Sequence, residues 1–129
     1  MITIEQVAQR QKELYEKATA LVKSKGHDYN REQQEKGDTL FNMRVSKLLG
    51  ITETTTQGVL TRLSDKFMRL ISLTKDPLVT AHVRDESILD TIVDIWNYTT
   101  YLSLFYAEEL FDETTKADVD WIKRQIPNI

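Results

Sequence analysis

Apolar residues recur every three to four positions along most of this chain, which is the spacing of amphipathic helices. The first such segment begins at Thr3, where Thr3 and Gln6 fit a capping box, and Gly26 gives a stop signal after it. Its apolar positions are Ile4, Val7, Leu14, Tyr15, Ala18, Leu21 and Val22. The polar residues 26–38 predict an irregular loop.

The middle of the chain predicts two further helices. A short helix is expected over residues 40–49 and is closed by Gly50. A longer helix is expected over residues 54–74, because Thr54 and Gln57 form a second capping box and an apolar stripe follows.

A proline at position 77 ends this helix, and residues 77–84 predict a connector. Asp85 is then the expected N-cap of a long helix that reaches about Leu110. A last short helix is expected over residues 116–125.

No segment alternates with period two, and the chain has only four glycines and two prolines. These features predict an all-α fold, a helical bundle of four to five helices. The length of 129 residues predicts a single domain over residues 1–129.

The predicted long helix carries an unusual distribution of charge. Between Asp85 and Thr115 there are eight acidic residues and no lysine or arginine. Glu86, Asp90 and Asp94 are each four residues apart, so they lie on one helical face and repel by roughly 0.2–0.5 kcal/mol per pair. Apolar residues surround this acidic stripe, and Asn97 extends it. We expect a cation from elsewhere, which is a lysine, an arginine or a divalent metal.

The preceding predicted helix offers such cations. Arg62, Asp65, Lys66 and Arg69 share the face opposite its apolar stripe. One interpretation is a local ladder of weak surface ion pairs. The other is that this face meets the acidic stripe across an antiparallel helix pair, where Asp65 adds a metal ligand and Lys66 or Arg69 neutralises carboxylates or binds phosphate.

Composition narrows the chemistry further. The chain has no cysteine and two histidines, so carboxylate oxygens are its natural metal ligands, and these suit Mg²⁺ or Mn²⁺. A net charge of −3 does not favour direct nucleic-acid binding. Neither a signal peptide nor a membrane span is predicted, and we expect a cytoplasmic protein.

A possible nucleoside pocket lies in the first predicted loop. Lys25, Asp28 and Tyr29 stand there, and Asn42 follows Phe41 beyond it. An aromatic ring stacks on a base, and Asp or Asn bonds a base edge or a sugar hydroxyl. The alternative is that these are ordinary turn and packing residues.

The chain has no Ser/His/Asp pattern, no phosphate-binding glycine loop and no zinc motif. Metal-assisted hydrolysis is therefore the most natural chemistry for these residues.

Several sequence blocks, in order, resemble a known family. The blocks are Lys25…Asp28-Tyr29, Phe41-Asn42, Asp65-Lys66…Arg69-Leu70 and Asp85-Glu86-Ser87…Asp90-Thr91…Asp94…Asn97-Tyr98. They cover about residues 20–106 and resemble the phage and bacterial nucleotide modification associated domain proteins. These are similar to the all-α nucleotide pyrophosphatases, which include MazG-like proteins and dimeric dUTPases.

The resemblance implies a MazG-like fold that binds Mg²⁺ through acidic residues on two adjacent helices. It also implies cleavage of a nucleoside triphosphate between the α and β phosphates. Glu86 and Asp90 match the second acidic motif, and Asp65 is the best match to the first. The family pattern has paired acids three residues apart, whereas here Asp65 has no such partner and the second motif has a four-residue spacing.

The residues and this resemblance together predict Mg²⁺-dependent hydrolysis of a (deoxy)nucleoside triphosphate to monophosphate and pyrophosphate, as in phage nucleotide metabolism. The expected cytoplasm is that of the host if a phage encodes the protein. Glu86 or Asp90 would orient the attacking water, Asp94 would add a metal ligand, and Lys66 and Arg69 would stabilise charge. A homodimer or homotetramer is expected. One alternative is a non-catalytic protein that binds or sequesters a nucleotide, and another is a purely structural helical oligomer.

Overall fold

In the computed structural model the backbone is described for residues 1–29, 39–75 and 81–113. All regular structure in these ranges is helical, which confirms the all-α prediction. The elements, in order, are α1 (Ile4–Tyr29), a 3-10 helix (Phe41–Arg44), α2 (Val45–Leu48), α3 (Thr55–Lys75) and α4 (Ala81–Glu113). No helix in this part of the chain has a stretch long and apolar enough to cross a bilayer.

Local capping signals correctly placed the starts of α1 and α3. Thr3 N donates to Gln6 Oε1 at 2.8 Å and Gln6 N donates to Thr3 Oγ1 at 3.1 Å, so the first capping box is reciprocal. At α3, Gln57 N donates to Thr54 Oγ1 at 3.1 Å. The Gln57 side chain accepts from Glu53 N rather than from Thr54 N, so only half of that box forms.

Two predicted boundaries were wrong. Helix α1 continues through Gly26 to Tyr29, because a glycine inside a helix costs only about 1 kcal/mol and does not by itself end it. Helix α4 begins at Ala81, so Asp85 lies inside the helix and is not its N-cap. The predicted helix over residues 116–125 falls outside the described residues.

The core lies between the 3-10 helix, α3 and α4. Its buried centre is Met43, Val59 and Phe105, one residue from each of these elements. Partly buried side chains pack around it: Leu40, Tyr98, Tyr101 and Leu102. Helices α3 and α4 share the largest contact in the fold, and they are antiparallel, since Thr56 meets Glu109 while Lys66 meets Asp94.

Helix α1 docks on α4 around Ala18, which is 1% exposed. Asn97 Nδ2 donates to the Ala18 carbonyl oxygen at 3.2 Å, and both residues are buried there. Residues 1–13 of the same chain are all exposed, so only the later turns of α1 are held against the bundle.

Two glycines between the end of α2 and the first turn of α3 are required for different reasons. Gly50 has φ +74°, a left-handed conformation that L side chains rarely adopt, and it ends the short helix as predicted. Gly58 is buried in the first turn of α3, where an added Cβ would lie 1.9 Å from Ser46 Oγ and 3.1 Å from Ser46 Cβ. Ser46 cannot simply turn away, because its hydroxyl accepts from Thr52 Oγ1 at 3.1 Å.

We therefore expect Gly58→Ala to lower the free energy of unfolding by about 1–3 kcal/mol, although alanine is the better helix former. Urea unfolding followed by circular dichroism measures this change. The double variant Ser46→Ala with Gly58→Ala should recover part of the loss, because it removes the atom that clashes. A single variant at least as stable as the original protein would contradict this account of the packing.

Candidate functional site

Asp94, a member of the acidic stripe, contacts a cationic side chain of the neighbouring helix. Lys66 Nζ lies 3.3 Å from Asp94 Oδ2, and the two side chains are 30% and 25% exposed. This contact joins α3 to α4 across the antiparallel pair, as the charge pattern predicted. The pair is partly screened by solvent, so it contributes little to stability, and its importance lies in where it places charge.

Aromatic rings support the lysine. Lys66 Nζ lies 5.7 Å from the centre of the Tyr98 ring, within the range of a cation–π contact. The Tyr98 ring in turn meets the Tyr101 ring edge-on, with centroids 5.9 Å apart and planes at 77°. These contacts fix the side of α4 on which the lysine approaches.

A second lysine comes from α1. A cleft of about 250 Å³, called here the charged cleft, is lined by Lys17, Leu21, Asp90, Val93 and Asp94. Asp90 and Asp94 are one helical turn apart, so two carboxylates share this cleft. Asp90 and Asp94 of α4 thus share the charged cleft with a lysine of α1, and Asp94 also contacts a lysine of α3.

The donor set of the charged cleft suits Mg²⁺. This ion is commonly held by one or two carboxylates together with waters and substrate phosphates, and Asp90 and Asp94 supply two. No group of three or more His, Cys, Asp or Glu side chains in the described part of the chain is placed to hold a metal. A metal here would therefore be completed by substrate oxygens.

The other predicted metal ligands lie at the surface. Glu86 is exposed on α4, one turn before Asp90, and Asp65 is exposed on α3 next to Lys66 in sequence. Arg69, predicted to stabilise phosphate charge, is also exposed on α3. The structure brings Asp90, Asp94 and Lys66 to one region, where Asp90 is itself exposed, and the exposed Glu86, Asp65 and Arg69 do not line the charged cleft.

The residues predicted to bind the nucleoside fall in three places. Asn97 is 7% exposed and contacts α1, so its amide helps to dock that helix. Asn42 is partly buried in the 3-10 helix, where Arg62 Nη2 donates to its backbone carbonyl at 3.4 Å. Lys25, Asp28 and Tyr29 lie in the last turns of α1, and their side chains are outside the described part of the structure.

Two acidic residues of the same run have structural partners. Glu109 accepts from Thr56 N at 3.0 Å and from Thr56 Oγ1 at 2.5 Å, so a carboxylate of α4 caps the first turn of α3. Arg44 donates to both oxygens of Glu108, at 2.6 and 3.1 Å, and its guanidinium lies 4.9 Å from the Phe105 ring centre. The carboxyl end of α4 is therefore tied to the core.

Sequence reasoning missed Lys17, Arg44 and Thr56. Lys17 lies on the first predicted helix, more than seventy residues from Asp90, and no local pattern connects them. A weak signal existed for Glu108 and Glu109, since a run of acids without local cations must be compensated from other elements.

Burial raises the pKa of the Tyr101 phenol above its ordinary value of 10.0, and the nearby Tyr98 and Asp94 raise it further. The folded protein thus holds this proton more tightly than the unfolded chain does. The corresponding stability is fully present below the unfolded pKa and is lost as pH rises through the folded pKa.

We expect the free energy of unfolding to fall above about pH 10 and to fall less steeply in Tyr101→Phe. Urea unfolding between about pH 8 and 11 tests this, with Tyr106→Phe as the matched control, because Tyr106 is 60% exposed. Equal slopes for Tyr101→Phe and the original protein would contradict the burial argument.

Comparison with known proteins gives no match: no family model, no curated protein and no solved structure is similar to this chain at a significant level. The MazG-like assignment therefore rests on the sequence blocks alone and stays a prediction.

Proposed function

We propose that this protein binds a Mg²⁺–nucleoside triphosphate in the charged cleft and hydrolyses it to monophosphate and pyrophosphate. The observation that carries the proposal is the cleft between α1 and α4, where Asp90 and Asp94 lie beside Lys17, and where Asp94 also contacts Lys66 of α3. Carboxylates and ammonium groups side by side are what a metal–phosphate ligand needs, since it presents both signs of charge.

Each residue of the charged cleft has a role that follows from its charge. Lys17, which lines the cleft, and Lys66, which contacts Asp94, bind phosphate oxygens as cations. Asp90 and Asp94 supply metal oxygens, and Asp90 or Glu86 orients the attacking water. When bound, Mg²⁺ supplies the charge that polarises the phosphoryl group. The position of the cleaved bond, between α and β phosphates, follows from the family resemblance.

A second candidate is a nucleotide-binding protein without turnover. The ion pair between Lys66 and Asp94 favours it, because the lysine neutralises a carboxylate that a metal would otherwise use. Such a cleft retains phosphate through its lysines even where the acidic set is too small for catalysis.

We also propose that the chain forms a homodimer or homotetramer through the outer face of α3. Four large apolar residues there are between 46% and 60% exposed: Leu60, Phe67, Met68 and Ile71. Leu60, Phe67 and Ile71 form a stripe that flanks the buried Val59 and Leu63, and Met68 lies further round the helix. Clustered apolar groups of this kind on a small domain mark an interaction surface.

The enzymatic proposal predicts pyrophosphate release that depends on Mg²⁺ for at least one (deoxy)nucleoside triphosphate. Asp90→Asn should lower kcat/KM by about 100-fold or more, because it removes a charge at the reacting phosphates. It should leave Tm equal or higher, because it relieves repulsion on α4.

Glu53→Gln is the matched control for this experiment, since Glu53 is exposed and lies outside the charged cleft. Nucleotide-dependent rises in Tm without turnover would exclude the enzyme and favour the binding protein. Neither turnover nor a rise in Tm with any nucleotide would exclude both.

The oligomer proposal predicts a mass by light scattering that is a multiple of the 15.0 kDa chain. Phe67→Glu places a charge within the apolar face and should yield monomers. Ser72→Glu, on an exposed flank of the same helix, should keep the original mass. A monomeric original protein, or an unchanged mass for Phe67→Glu, would contradict the proposal.

A further inference from the structure

A groove adjoins the charged cleft along the junction of α1 and α4. It has a volume of about 340 Å³ and is lined by Arg10, Glu13, Leu14, Glu16, Lys17, Leu89 and Val93. Lys17 and Val93 also line the charged cleft, so the two spaces adjoin at these side chains. We call this second space the apolar groove.

The two spaces differ in chemistry. Both spaces share Lys17 and Val93, but Asp90 and Asp94 line only the charged cleft, whereas Leu14 and Leu89 line only the apolar groove, beside the charged Arg10, Glu13 and Glu16. A ligand that fills both therefore meets carboxylates and a lysine at one end, and apolar side chains with a polar rim at the other. The volume of the apolar groove lies within the roughly 300–1,000 Å³ typical of small-molecule pockets.

The rim of the apolar groove is polar. Arg10 Nε lies 3.4 Å from Glu13 Oε2, and Gln9 Nε2 donates to Glu13 Oε1 at 3.2 Å. Both oxygens of Glu13 are therefore oriented by neighbours on α1. A carboxylate and a guanidinium at the edge of an apolar floor offer an acceptor and donors to the edge of a flat ring or to sugar hydroxyls.

We infer that the apolar groove seats the nucleoside of the nucleotide whose phosphates lie in the charged cleft. This inference rests on the proposed function and extends it, because it places the base and sugar between α1 and α4. The base lies against Leu14 and Leu89, Arg10 and Glu13 face its edge, and Lys17 stands where nucleoside and phosphates join. These residues differ from those predicted from the sequence to form the nucleoside pocket.

The test separates the phosphate end from the nucleoside end by using inorganic tripolyphosphate as the probe that lacks a nucleoside. Isothermal titration calorimetry with Mg²⁺ compares tripolyphosphate with the common ribo- and deoxynucleoside triphosphates. We expect at least one nucleotide to bind about tenfold tighter than tripolyphosphate, because only the nucleotide fills the apolar groove.

Two variants then locate this additional affinity. Leu89→Ala removes part of the floor. The double variant Arg10→Ala with Glu13→Ala removes the rim, and it should leave the fold intact because both side chains are exposed. At least one of them should weaken nucleotide binding about fivefold to tenfold and leave tripolyphosphate binding unchanged. Lys12→Ala is the matched control, because Lys12 is exposed on α1 and does not line the groove.

The outcomes distinguish the two proposals. If neither tripolyphosphate nor any nucleotide binds, the proposed function and this inference both fail. If nucleotides bind no tighter than tripolyphosphate, or if both variants keep the original nucleotide affinity, only the placement of the nucleoside is overturned. An equal loss of affinity for tripolyphosphate and for the nucleotide in every variant also overturns this placement, because such a loss indicates a structural effect of the substitutions.

Discussion

The absence of any lysine or arginine between Asp85 and Thr115 is the constraint on which this structure depends. No lysine or arginine of α4 lies within two turns of Asp94, Glu108 or Glu109, so the partners of these residues come from other elements. Lys66 of α3 pairs with Asp94, Arg44 of the 3-10 helix pairs with Glu108, and the first turn of α3 binds Glu109. The charge distribution of α4 therefore determines which polar side chains of the packed elements face it.

The carboxylates of the charged cleft are held by fewer contacts than those at the carboxyl end of α4. At the carboxyl end of α4, Glu108 and Glu109 are held by short hydrogen bonds and have a structural role. Nearer its amino end, Asp94 has one lysine contact and Asp90 is exposed beside α1. An ion pair that is a quarter to a third exposed is weakly held, so its groups are available to a ligand that offers both signs of charge.

Local sequence signals predicted the helices well, but they could not predict contacts between residues that are distant in the sequence. The Thr3–Gln6 capping box and the apolar spacing of α3 are local features that span one or two helical turns. The sequence pattern alone is therefore enough to predict them. Gly26 and Asp85 misled because a stop or start signal competes with the helix-forming residues around it. The position of Lys66 was one of the two interpretations of its charged helix face, because an acidic stripe without cations nearby implies a basic neighbour. Lys17 depends on how α1 crosses α4, which no local spacing encodes.

The Thr56–Glu109 and Lys66–Asp94 contacts have a mechanical consequence. Residues 94 and 109 are separated by about 22 Å along α4, at 1.5 Å per residue, so the two contacts join α3 and α4 at two distant points. If one helix slid past the other by a single turn, about 5.4 Å, both contacts would break. Helix α1 has no such double attachment among the described contacts, and residues 1–13 are exposed. A tilt of α1 over α3 and α4 is therefore less restricted than a sliding of these two helices past each other.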